Sequence, residues 1–216
     1  MSYQLLNAKN SENGRSMIEM LGVLAIIGVL SVGGIASFSK AMESYKTNQC
    51  IEQISTIIAN VKNLGLRQHG SYKGLSSKVA KKMKLIPEDM TSEKDNTLIV
   101  FNPFGGTVNV STGKNSSSEN HKAETDFLVT YYSLPKDTCL QIMSKNWGIQ
   151  KIGVIATADA KTMDSTIKSF QYTAASSCTA KDKSAVCTNK QMPLSDATTG
   201  CGCGKEPRCA ITIWNF

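Results

Sequence analysis

The chain has 216 residues and a formal charge of +7, with 19% charged and 6% aromatic residues. Once its apolar N-terminus is set aside, that is the composition of an ordinary globular domain. It contains no Walker loop, dinucleotide fingerprint or metalloprotease helix, so no enzymatic activity, cofactor or metal is expected, and its scattered basic residues specify no nucleic-acid partner.

Residues 1–14 form a short polar leader ending in Gly14. From Met17 to Phe38 the chain is almost wholly apolar and would span roughly 33 Å as a helix, enough to cross a hydrocarbon core. No small-x-small cleavage site follows it, as a secretory signal peptide would require. Met42, Tyr45, Ile51, Ile54, Ile58, Val61 and Leu64 then recur at helical spacing, and no proline interrupts residues 15–69. The pattern predicts one continuous helix of about 54 residues, roughly 80 Å long, lipid-facing first and amphipathic afterwards. Glu19 is the one carboxylate in the apolar run. An acid there either snorkels to the interface or serves a function.

Beyond Gly70 the periods shorten. Leu75, Val79 and Met83 predict a short amphipathic helix ending before Pro87, capped by Ser76 or Ser77, with Lys78, Lys81, Lys82 and Lys84 on a solvated face. Leu98–Phe101 and Thr107–Val110 read as the two strands of a hairpin turning at Asn102–Gly106. Residues 111–125 read as a polar surface loop. Strands are expected at Asp126–Ser133, Ile149–Ala156 and Ile167–Thr173. Pro135 opens a helix that would bury Cys139. The closing "CAITIWNF" carries apolar residues on both alternating faces, as a half-buried to fully buried strand does.

Seven cysteines stand at 50, 139, 178, 187, 201, 203 and 209. Behind an N-terminal membrane segment they indicate an oxidising compartment and a disulfide framework. An odd count leaves at least one thiol free or paired between chains. Cys201, Cys203 and Cys209 fit no standard zinc spacing, and neither His69 nor His121 is nearby, so disulfides are the expectation. Cys178 and Cys187 suit a small local loop, and Cys50 suits a core thiol on the long helix.

The stretch "GRSMIEMLGVLAIIGVL" (residues 14–30) resembles the class III signal of type IV pilins and pseudopilins. That signal combines a polar leader ending in Gly, a cut before the apolar run, and a Glu at the fifth residue after the cut. The resemblance implies cleavage between Gly14 and Arg15 by a prepilin peptidase, and N-methylation of Arg15. It also implies that Glu19 pairs with the α-ammonium of Arg15 on a neighbouring subunit during assembly. Arg15 departs from the Phe or Met usual there, and its guanidinium stands one helical turn from Glu19 on the same face, an intramolecular competitor. "NPFGG" (102–106) resembles an element of the thin-pilus, type IVb pilins, as does the cysteine-bearing helix. Their long-range disulfide, carried onto this chain, joins Cys139 to one of Cys201, Cys203 or Cys209, with Cys139–Cys209 expected.

The resemblance implies an α+β pilin fold, a long N-terminal helix packed on an antiparallel sheet. The domains would be a leader (1–14), a transmembrane and assembly helix (15–69) and a disulfide-stapled head (70–216). The implied function is a structural pilus subunit, resident in the inner membrane as a prepilin and then in a bacterial surface filament. Its partners would be identical subunits, the peptidase, the inner-membrane assembly platform and the membrane. Adhesion, aggregation or conjugative contact is the expected role. The alternatives are a pseudopilin or minor pilin of a secretion or DNA-uptake system, and a bitopic membrane-anchored binding protein.

Overall fold

With no proline to stop it, a single helix, α1, runs through Asn13–Arg67, 55 residues, in the computed structural model. The structure describes residues 13–94, 97–112, 127–147, 151–155, 185–188, 194–201 and 208–215. The helix stops where left-handed backbone begins, at His69 (φ 54°) and Gly70 (φ 81°). The Gly70 N–H donates to the Gly65 carbonyl at 2.8 Å, satisfying one of the last orphan acceptors of the helix. The chain divides within α1 into two compact units, residues up to Tyr45 and Lys46–Phe216. In the first, every side chain described from Met17 onward is exposed.

In the second unit, α1 turns Cys50, Ile54, Ile57, Ile58 and Val61 into a shared core. Burial of each large aliphatic side chain contributes about 2 kcal/mol. Tyr72 closes the lower end of this core, its ring 5.0 Å from that of Phe127, edge to face. The ring rests on Gly65, where any Cβ would collide with it. The short helix α2, Ser77–Lys82, starts as expected, with the Ser76 side chain accepting from the Val79 N–H. A 3-10 turn at Glu88–Met90 leads to two antiparallel strands, β1 (Thr91–Lys94) and β2 (Thr97–Val100).

The main sheet contains β3 (Val108–Thr112), β4 (Phe127–Pro135), β5 (Lys151–Ile155), β6 (Ala185–Thr188) and β7 (Arg208–Asn215). Its order is β3-β4-β7-β5-β6, antiparallel throughout. The closing segment of the chain is therefore an interior strand. Phe127, Val129 and Tyr131 of β4 and Ile211 and Ile213 of β7 face the α1 core. The opposite face is buried too, and Thr130 and Thr212, directly paired across the strands, share a hydrogen bond at 3.1 Å. Helix α3 (Lys136–Ser144) follows β4 with Pro135 at its N-cap position and buries Cys139, as expected. Helix α4 (Leu194–Gly200) was not anticipated by the sequence pattern. The strand expected at Ile167–Thr173 lies outside the described residues.

The expected hairpin needs correction. The turn at Asn102–Gly106 exists, but after one bridge, Phe101 to Thr107, its arms separate: β2 pairs with β1 and β3 with β4. Asn102 explains the divergence. Its buried Oδ1 accepts from the Phe104 and Gly106 N–H groups, and its Nδ2 donates to the Tyr132 carbonyl at 2.8 Å. A Cβ on Gly106 would strike that same carbonyl. The loop is thus held to β4 rather than to its own arm.

Two buried acids of the core set an alkaline limit. Burial pushes the Cys50 thiol up to about 12. Burial, and then the nearby Cys50 and Asp89, hold the Tyr131 hydroxyl well above its usual range. Both groups keep protons in the folded state that the unfolded chain releases at lower pH. Their contribution is complete below the ordinary thiol value of about 8.5 and is lost as pH rises from there toward the folded value. Thermal midpoints should fall across the window from about pH 9 to 11, and Cys50→Val should flatten that slope. A midpoint constant over the window in the parent chain would contradict this account.

Candidate functional site

Gly14 and Arg15 lie in the first turn of α1, and Glu19 stands one turn further on with an exposed side chain. At that spacing the positions of Arg15 and Glu19 share a helix face. From Met17 the helix presents apolar side chains all round: Ile18 is 73% exposed and Val29 76%. By length and composition it can cross a membrane. An added Cβ at Gly22, Gly28, Gly33 or Gly34 would meet nothing within 4 Å, so no contact among the described residues requires those glycines. Such positions in an apolar helix suit close approach by another helix.

Further along, the inner face of α1 carries polar residues among the aliphatic ones. Thr47 is buried and shares a hydrogen bond at 2.8 Å with the buried Thr138 of α3. Asn60 Nδ2 donates to the Leu85 carbonyl at 3.1 Å. These contacts join α1 to α3 and to the segment after α2. Sequence periodicity missed them, because a threonine or asparagine on a helix reads as a surface residue until its partner is placed.

The C-terminal cysteines form a knot on α3. Cys139 is bonded to Cys201, with Cα atoms 5.8 Å apart. This corrects the expected partner, Cys209. The Cys201 N–H donates to the Ala197 carbonyl at 2.8 Å, so Cys201 extends the last turn of α4, and α4 packs on α3. Cys209 stands on β7 opposite Leu134, its Sγ 3.6 Å from the Cys201 carbonyl, and is itself disulfide-bonded. Among the described residues Cys50 is the free cysteine. Cys178, Cys203 and the side chain of Cys187 lie outside the described residues, as does His121. No group of three or more metal-ligating side chains occurs among the described residues.

The major structural subunits of bundle-forming pili from Escherichia coli O127:H6 (strain E2348/69 / EPEC) and O111:H- are each 28% identical to this chain over 148 residues, covering 67% of it and 70% of the relative. A type IVb pilin from Salmonella typhi superposes with a TM-score of 0.50 at 12% identity, over 78% of this chain and 98% of that one. At that identity the likeness speaks for the fold. The family profile described as PilS N terminal matches residues 44–212. The chain belongs to this family of type IV pilins. As a pilin it is a structural subunit of a pilus, and its long helix on an antiparallel sheet is the α+β pilin fold. The family match begins at Glu43's neighbour, residue 44, so the leader and the apolar half of α1 stand outside it. Roles for Gly14, Arg15 and Glu19 therefore rest on the chemistry of the pilin's own N-terminal residues.

Proposed function

We propose that this pilin is made as a prepilin and assembles through the apolar half of α1 into a surface filament. In this reading residues 1–14 are the leader, residues 15–69 the transmembrane and assembly helix, and residues 70–216 the head. A prepilin peptidase cuts between Gly14 and Arg15 and methylates the new amine of Arg15. The inner-membrane platform then adds subunits one by one, and the filament serves adhesion, aggregation or conjugative contact. The observation that carries the reading is the helix from Met17 to Phe38, which is apolar on every side and holds one acid, Glu19. The exposed apolar surface needs lipid before assembly and other helices afterwards. In either setting an unpaired carboxylate is costly, so Glu19 requires a cation from outside its own run.

The test is the intact mass of the membrane form after co-expression with a prepilin peptidase. The expected product starts at Arg15 and carries one methyl group on its amine. A product still starting at Met1 would refute processing and favour a bitopic anchored protein. Processing with no filament, even when the assembly platform is present, would favour a pseudopilin or minor pilin.

A further inference from the structure

Two polar atoms of the head are enclosed without a partner. Gln53 on α1 is 6% exposed, and Tyr131 on β4 is wholly enclosed. Among the described residues, Gln53 Oε1 and the Tyr131 hydroxyl make no hydrogen bond. Other polar side chains on the inner face of α1 are joined, Thr47 to Thr138 and Asn60 to the Leu85 carbonyl. Buried polar atoms left unjoined are rare in folded domains, so each needs an explanation.

The two atoms belong to one region of the core. Gln53 Nε2 donates to Asp89 Oδ2 at 3.4 Å, tying α1 to the 3-10 turn. An ionised carboxylate accepts and cannot donate, so this bond settles which end of the amide meets Asp89. Turning the amide over would set two acceptors against each other, and Oε1 therefore stays on the enclosed side. Tyr131 approaches from the sheet, its hydroxyl within electrostatic reach of Cys50 and Asp89. Cys50 stands three residues before Gln53, on the same face of α1. Helix, strand and turn thus bring a donor, the hydroxyl, and an acceptor, Oε1, to the same place.

A dry contact is poor chemistry for this pair. Enclosing a hydroxyl without a partner costs more than a typical hydrogen bond returns. Phenylalanine would place the same ring there at no such cost. The two atoms do not bond each other directly, so a third group must stand between them.

We propose that this region of the head binds one structural water molecule, which accepts from the Tyr131 hydroxyl and donates to Gln53 Oε1. Water is small enough for a packed core and carries both a donor and an acceptor, as two such partners require. The bridge would run from α1 to β4. Two turns earlier on α1, Thr47 makes the corresponding connection to α3. The helix would then be pinned to the sheet and to α3 at the point where its burial begins.

The test uses the full-length chain in detergent micelles. Oxygen-17 relaxation dispersion of the solvent counts long-lived internal waters, and thermal unfolding reads their effect on stability. Tyr131→Phe should release one such water and lower the midpoint by about 3 °C. Gln53→Met should release the same water, and the double variant should melt within about 1 °C of Gln53→Met. Thr47→Val breaks the neighbouring connection without touching this pair, so it should leave the water in place. An unchanged water count in Tyr131→Phe would overturn the proposal: with a raised midpoint the hydroxyl is dry, and with coupled losses the side chains bond directly. Losses that add in the double variant would give each group a partner of its own, and would overturn it equally.

Discussion

Glu19→Ala subunits are expected to be cut, methylated and inserted normally, yet to yield surface filaments at about one-tenth of the parent level or less. A tenfold loss corresponds to about 1.4 kcal/mol per addition step. An ion pair formed where water is scarce exceeds that readily when one partner is removed. The asymmetry between processing and assembly follows from chemistry. In the proposed reading the peptidase would act at Gly14–Arg15, a turn away, while Glu19 would matter only once a neighbour's amine is within reach. Arg15 sharpens the experiment, since its position shares a helix face with Glu19. Arg15→Phe removes the intramolecular competitor and keeps the methylated amine, so its filament yield should equal or exceed the parent's. Immunoblotting of sheared surface filaments against total membrane subunit measures both variants. Parental piliation in Glu19→Ala would show that the acid is simply tolerated at the interface.

The second large effect concerns the head. The double variant Cys139→Ser/Cys201→Ser should lose about 4 kcal/mol of stability, since the bond closes a loop across 62 residues of sequence. For a unit of this size that corresponds to a thermal midpoint lower by about 10 °C. The consequence should be local first, because the bond fastens α4 to α3, whereas α3 keeps its hydrogen bond to α1 through Thr138 and Thr47. Limited proteolysis of the variant should therefore cut near α4 before it cuts β4. A midpoint within a degree or two of the parent's would mean that packing of Ala197 and its neighbours already fixes α4.

Much of the helical part of this pilin was legible in its residues. The absence of proline predicted α1, the pair Ser76 and Ser77 predicted the start of α2, and Pro135 predicted α3 with Cys139 inside. Helices and caps depend on residues three or four apart, so their causes lie within one short window. Strand partners were harder to read for the opposite reason. The turn chemistry at Asn102–Gly106 is genuine, but it dictates a bend and not what the two arms pair with. That was decided by the Tyr132 carbonyl, 30 residues away, which takes the Asn102 amide. The cysteine pairing failed similarly. "LSDATTG" carries threonines and a glycine that disfavour helix, so α4 was invisible, and Cys209 was the expected partner because it would tie α3 to the last strand. Of the proposed assembly segment, the sequence pattern located Glu19 and the apolar run, and the structure adds that the side chains of Met17–Phe38 are exposed.

The interior place of β7 has a consequence for biogenesis. The strands β4 and β5 have no shared edge until β7 lies between them, although β7 (Arg208–Asn215) follows both in sequence. During synthesis the sheet is missing its central piece until residues 208–215 have been made. Pairing of such sequence-distant strands is slow, and it cannot begin early here. The strands made before β7 wait for it, and its insertion turns two separate strand pairs into one five-stranded sheet.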